Sequence, residues 1–159
     1  MLDLAREVDG RCRLHGKFPL RSGTVAGRGE PHKRMAGLLS ATGVAKTGGF
    51  AVNVSSFAPN GEVEPYAQAV RSVLQSKYGI ADPRYVVDTS RNGNQVWDNT
   101  WCNPKDRRIG VPPAVYADAS GLDATLWVKE PGTSDGDCGS QPGTYGGQFV
   151  PAAAYKQAG

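Results

Sequence analysis

Two apolar runs, Gly49-Phe50-Ala51-Val52-Asn53-Val54 and Tyr85-Val86-Val87-Asp88, decide the fold together with the stretch between them. Phe50, Val52 and Val54 alternate with smaller or polar neighbours, the period of a strand. Between the runs, Val63, Tyr66, Ala67, Val70, Val73, Leu74 and Tyr78 recur every three or four residues. That spacing gathers them on one face of a helix, predicted over Glu62–Tyr78. Pro59-Asn60-Gly61 and Pro83 punctuate its two ends.

The same pattern extends outward. Met35, Leu38, Leu39 and Val44 predict an amphipathic helix starting at Lys33 and ended by Gly43. Ala124–Lys129 reads as a third strand, cut off by Pro131-Gly132, and Val150–Gln157 as a terminal helix. Strands alternating with helices predict parallel βα units, hence an α/β fold. Each predicted strand runs into a polar loop: Asn53-Val54-Ser55-Ser56, Asp88 to Gly93, and Lys129 to Asp135. In parallel α/β folds, sites collect at the carboxyl ends of the strands.

The 159 residues suffice for one domain or a piece of one. A hydrophobic share of 39% and a charged share of 21% are those of a globular protein. No apolar run approaches a membrane span, so no membrane partner is expected, and the first residues show no signal-peptide pattern. Residues 1–32 form a basic arm broken by Gly10, Gly16, Gly23, Gly27, Gly29, Pro19 and Pro31, and no strand or helix period survives there. Its basic residues follow no helical stripe and Phe18 is its one aromatic, so nucleic acid is not an expected partner. Cys12 and His15 lack further ligands at metal spacing, and no metal or cofactor is expected. Residues 33–159 are the patterned part.

Within that part, Asp88 and Asp135 are the carboxylates at strand ends. Asp88 could equally cap its own turn or pair with Arg91, and Asp135-Gly136 could be a simple turn. Lys129 could extend harmlessly into solvent. Trp97, Trp101 and Trp127, with Asn53, Asn92 and Asn103, are the residue types that grip sugars: indoles stack on pyranose faces and amides bridge hydroxyls. Trp127, inside a predicted strand, is expected in the core, and Trp101, in a polar loop, at a ligand.

Five segments in order, Gly49 to Phe57, Val87 to Gly93, Trp101-Cys102-Asn103-Pro104, Leu126 to Gly136 and Gly146 to Pro151, resemble the C-terminal part of a glycoside hydrolase family six module. The resemblance covers about residues 33–159 and implies a partial, distorted β/α barrel, the C-terminal half of a TIM-like barrel, with an irregular N-terminal arm. The implied substrate is a β-1,4-glucan such as cellulose, hydrolysed with inversion by a carboxylic acid and a carboxylate roughly 6.5–9.5 Å apart. By the same resemblance, Asp135 is the candidate base and Asp88 with Arg91 supports the cleft. Asn53, Trp101 and Lys129 contact sugar, and Cys102 pairs with Cys138. Such a disulfide implies an extracellular protein.

Two departures temper the expected activity. The family's usual glutamate is replaced by Thr133, which can hydrogen-bond a sugar but carries no charge. The family's general acid and further tryptophans belong to an N-terminal half that residues 1–32 do not resemble. Loss of general acid catalysis costs roughly 100- to 10,000-fold. The expectation is therefore a truncated, impaired β-1,4-glucanase. The alternatives are a glucan-binding remnant without chemistry and a decayed, frameshifted reading frame. Whether a complementing chain supplies the other half is left open.

Overall fold

A computed structural model describes residues 14–15, 30–94, 100–116 and 119–159. Cys12, Trp97 and most of the basic arm lie outside the described residues, as do the side chains of Leu14 and His15.

The chain order is β1 (Leu14–His15), α1 (Pro31–Ala41), α2 (Val44–Thr47), β2 (Gly49–Val52), α3 (Asn60–Tyr78), β3 (Arg84–Asp88), β4 (Ala114–Val115), β5 (Leu122–Leu126) and α4 (Pro151–Ala158). The strands form one sheet in the order β1-β2-β3-β5-β4. β1, β2, β3 and β5 are parallel, and β4 is antiparallel to β5. The mixed α/β class and the parallel pairing of the three expected strands match the sequence reading. The arm departs from it, because Leu14 and His15 add a parallel edge strand beside Phe50 and Ala51.

Helix α3 carries the predicted stripe inward: Val63, Ala67, Val70 and Leu74 are all fully buried. They meet Met35, Ala36 and Leu39 of α1 and the sheet residues Phe50, Val52, Tyr85, Val87 and Leu122 in one apolar cluster. Complete burial of a Val or Leu side chain contributes about 1.5–3 kcal/mol. Pro65 sits within α3 and leaves the carbonyl of Gly61 without its helical donor, but Gly61 is exposed to water. The helix stops at Gly79, whose φ of 66° lets its N–H reach Gln75 O while Ile80 N–H reaches Leu74 O. Ile80 then packs back on the core, as the hydrophobic partner of that capping arrangement does.

The expected first helix is interrupted. Gly43 adopts φ 89° and separates α1 from the single turn α2, in which Val44 is buried. The opposite face of the sheet carries a smaller cluster of Ala51, Val86 and Ala124, with Val54 against it. Leu122 and Ala124 lie on opposite faces although two residues apart. Asp123 is the reason: Tyr85 pairs with Leu122 and Val86 with Ala124, leaving Asp123 as an extra, bulged residue.

Two strand ends are shorter than the apolar runs suggest. β2 stops at Val52 because Asn53 and Ser55 take left-handed conformations, φ 60° and 59°. β5 runs from Leu122 to Leu126 instead of Ala124 to Lys129. Beyond Leu126, the amide of Val128 bonds the Asp88 carboxylate rather than a strand carbonyl. Trp127 is corrected as well: it is 44% exposed, not a core residue, and its Nε1–H donates to Val111 O at 2.9 Å.

Candidate active site

The loops that leave β2, β3 and β5 meet at Asp88. Its Oδ2 accepts the N–H of Ser55 at 2.8 Å, and its Oδ1 accepts those of Ser90 at 2.9 Å and Val128 at 3.2 Å. One buried carboxylate thus fastens the exits of three neighbouring strands. Charge-assisted bonds of this kind are stronger than neutral ones. The Ser90 bond is the turn cap anticipated from sequence. Pairing with Arg91 does not occur, since Arg91 turns to Asp135.

Arg91 is 1% exposed. Its Nη1 donates to Asp135 Oδ1 at 3.1 Å and Oδ2 at 3.3 Å, and to Thr133 O at 3.3 Å; its Nη2 donates to Asp135 Oδ1 at 3.1 Å. The carbonyl of Ser55 accepts from the same Nη2. Beneath this fork lies Phe57, with the Arg91 guanidinium carbon 4.1 Å from the ring centroid and that of Arg107 5.8 Å away. A planar cation against an aromatic face is favourable, more so when both are out of water. Arg91 therefore links the loops of β2 and β3 to the segment that carries Asp135. Phe57 was not singled out from the sequence, where one aromatic in a loop carries no signal of what will stack on it.

Asp135 is held from the other side by Asn103. Asn103 N–H donates to Asp135 Oδ2 at 3.1 Å, and Asp135 N–H donates to Asn103 Oδ1 at 2.8 Å. The expected disulfide joins Cys102 to Cys138. It closes a loop with a sequence separation of 36, worth about 3–4 kcal/mol on the chain-entropy account. Trp101, next to this bond, is 69% exposed, so its indole is open to a ligand.

The amides expected to face sugar are turned into the protein. Asn53 Nδ2 donates to the carbonyls of Ala58 and Asp88 at 3.1 and 3.0 Å, while its buried Oδ1 has no hydrogen-bond partner among the described residues. Asn92 Nδ2 donates to Ala58 O at 3.1 Å and Asn60 Oδ1 at 2.7 Å. Thr133 is buried, its Oγ1 without a hydrogen-bond partner among the described residues. Lys129 lies partly buried just after Val128. Hydrogen bonds, the ion pair and the disulfide thus bring Asp88, Arg91, Asp135, Asn53, Thr133 and the Trp101 segment into one layer at the carboxyl ends of β2, β3 and β5.

Residues 23–159 match the family model described as glycosyl hydrolases family 6. The chain is 44% identical over 122 residues to Endoglucanase 1 of Streptomyces halstedii, covering 77% of this chain and 36% of that protein. It is 32% identical over 114 residues to a probable 1,4-beta-D-glucan cellobiohydrolase C of Aspergillus terreus. In that alignment it covers 66% of this chain and 24% of the fungal protein. Among solved structures it resembles the endoglucanase Cel6 of Mycobacterium tuberculosis with a TM-score of 0.68 at 35% identity. That match covers 82% of this chain and 43% of the other, whose structure holds a methyl-cellobiosyl-4-deoxy-4-thio-β-D-cellobioside. The chain thus spans about a quarter to under a half of the length of these relatives.

Proposed function

The chain belongs to glycosyl hydrolases family 6, and from that premise we propose that it supplies the base-side wall of an inverting β-1,4-glucanase site. The observation that supports this reading is the Arg91–Asp135 ion pair, set by Asn103 and the Cys102–Cys138 bond among the loops leaving β2, β3 and β5. Trp101 offers an indole face to a pyranose ring, and Lys129 and Thr133 lie in the segment after β5 that leads to Asp135. Asn53 shapes the turn after β2 by donating its side-chain amide to the carbonyls of Ala58 and Asp88, and acts on sugar through that turn. Asp88 is the support. Asp135 orients a water against the anomeric carbon and accepts its proton as the glycosidic bond breaks. On this reading Asp88 serves the loops rather than the reaction, its two oxygens taken up by three backbone amides. This reading assigns the general acid to none of the residues above, and the family resemblance places it in the N-terminal half of the module.

The boundary near residue 32 and the arc of a barrel belong to the same proposal. Val115 is 88% exposed, and Phe149 and Tyr155 are also open to water, surfaces that the remainder of a β/α barrel would cover. The disulfide favours an extracellular setting.

A substrate that needs no protonated leaving group isolates the base side. With β-cellobiosyl fluoride, water attacks the anomeric carbon, the C–F electron pair leaves as fluoride, and Asp135 takes the water's proton. The expected outcome is fluoride release with α-cellobiose as first product, lost in Asp135→Asn, and little release of reducing ends from soluble cellulose. Absence of fluoride release above the solvent rate would overturn the catalytic reading.

One observation favours a second reading. Both oxygens of Asp135 are already engaged by Arg91 and Asn103, which leaves few lone pairs for a water. A glucan-binding segment without chemistry would be retarded in a cellulosic gel yet leave the fluoride untouched.

A further inference from the structure

We infer that Asn103 is the positioning residue that sets the orientation of Asp135, an assignment that rests on reading Asp135 as the functional carboxylate. Asn103 stands two residues after an exposed tryptophan, where a sugar-binding amide would be expected. Its side chain is only 3% exposed and is spent entirely on the facing loop. The Oδ1 accepts the main-chain N–H of Asp135 at 2.8 Å. The Nδ2 shares its hydrogens among Gly136 O at 2.7 Å, Cys138 O at 3.1 Å and Ser134 Oγ at 3.2 Å. The main-chain N–H of Asn103 then reaches the Asp135 carboxylate, Oδ2, at 3.1 Å. One residue therefore grips Asp135 at its backbone and at its carboxylate, which fixes the side chain's direction as well as its place.

The backbone is arranged to permit this double grip. Asn103 takes a left-handed φ of 39°, a region that asparagine enters more readily than most residues. On the facing strand of the loop, Gly139 has φ 58°, and a Cβ there would lie 2.3 Å from Cys102 O and 2.5 Å from Asn103 O. Ser140 N–H closes the contact on Asn103 O at 2.8 Å. The neighbouring disulfide fixes how far apart the two loops can move, but a single covalent link leaves them free to rotate about it. Arg91 sets the plane of the carboxylate, and Asn103 sets its height and direction. Displacement of a catalytic group by about 1 Å can cost on the order of 100-fold in rate.

The test compares the intact oxidised chain with Asn103→Ala and Asn103→Asp, by fluoride release from β-cellobiosyl fluoride and by residue-resolved amide exchange. In Asn103→Ala, kcat falls about 10- to 100-fold with KM changed less than about twofold, and exchange at the Asp135 amide accelerates at least about tenfold. The Val87 amide, in the centre of the sheet, keeps its rate. In Asn103→Asp, the acceptor for Asp135 N–H is retained, and a second carboxylate beside the first moves the acid limb of the kcat profile to higher pH. Unchanged exchange at Asp135, equal acceleration at Val87, or a loss carried by KM overturns the assignment. Should Asn103→Ala not fold, Asn103→Asp decides by its pH profile. If the unmodified chain releases no fluoride, the base reading fails by itself, and the exchange rates alone uphold or overturn the role of Asn103.

Discussion

The two ends of the parallel sheet's environment are built from different forces. Beneath and beside the strands, α1 and α3 lie on a cluster of Met, Val, Leu, Ala, Phe and Tyr held mainly by apolar packing. At the carboxyl ends of the strands directed polar contacts dominate, around the buried Phe57 and Ala58. There the chain is held by the Asp88 amide knot, the Arg91–Asp135 pair over Phe57, the Asn103 grip and a disulfide. Packing tolerates exchange between apolar shapes of similar volume, whereas a buried polar layer tolerates loss of a partner badly. The difference teaches where the molecule is interchangeable and where it is specific.

The sharpest way to break this contrast is to remove the guanidinium. Arg91→Met leaves Asp135 Oδ1 and the carbonyls of Ser55 and Thr133 without the donor described above, and Asp135 without its counter-charge, and chemical denaturation is expected to show a loss of about 3–5 kcal/mol. A loss under about 1 kcal/mol would mean that the polar layer is held by the disulfide alone. On the other side, Leu74→Ala empties a fully buried position on α3, and the same measurement should give about 2–5 kcal/mol. That variant should leave glucan retardation unchanged, because Leu74 stands near the C-terminal end of α3 and is none of the residues proposed to meet sugar. The smallest effect is expected at Trp101→Ala: stability within about 0.5 kcal/mol, with retardation in a cellulosic gel abolished. Retained retardation there would move the sugar contact to another surface.

The two regions also differ in how far the sequence reveals them. The stripe Val63-Ala67-Val70-Leu74 and the apolar runs at Phe50 and Tyr85 are periodic, and periodicity is a local property that a linear chain displays. Asp88, Arg91, Trp101 and Asp135 were legible through a family resemblance, and the Cys102–Cys138 pair with them. What no local pattern carried was direction. Asn53, Asn92 and Asn103 have the composition of a sugar site, yet each turns its amide to the protein's own carbonyls, because left-handed turns at Asn53 and Asn103 redirect the backbone. Trp127 reads as core by its place in an apolar run, but the strand ends one residue earlier. Leu14 and His15 join the sheet from a segment without any period, since a two-residue edge strand needs only backbone groups in register.

The bulge in β5 has a consequence for how such chains can diverge in length. Asp123 is passed over in the pairing with β3, so Ala124 and Thr125 already occupy the faces they would have if it were missing. Deleting that one residue would forfeit the 2.8 Å bond from Arg84 Nε to its carboxylate and the bond from Tyr116 N–H to its carbonyl, but would invert no later side chain. Elsewhere in the strand, a change of one residue would turn Thr125 over and draw the Val128 amide away from Asp88. By register, β5 can be shortened at Asp123 without turning its later side chains over.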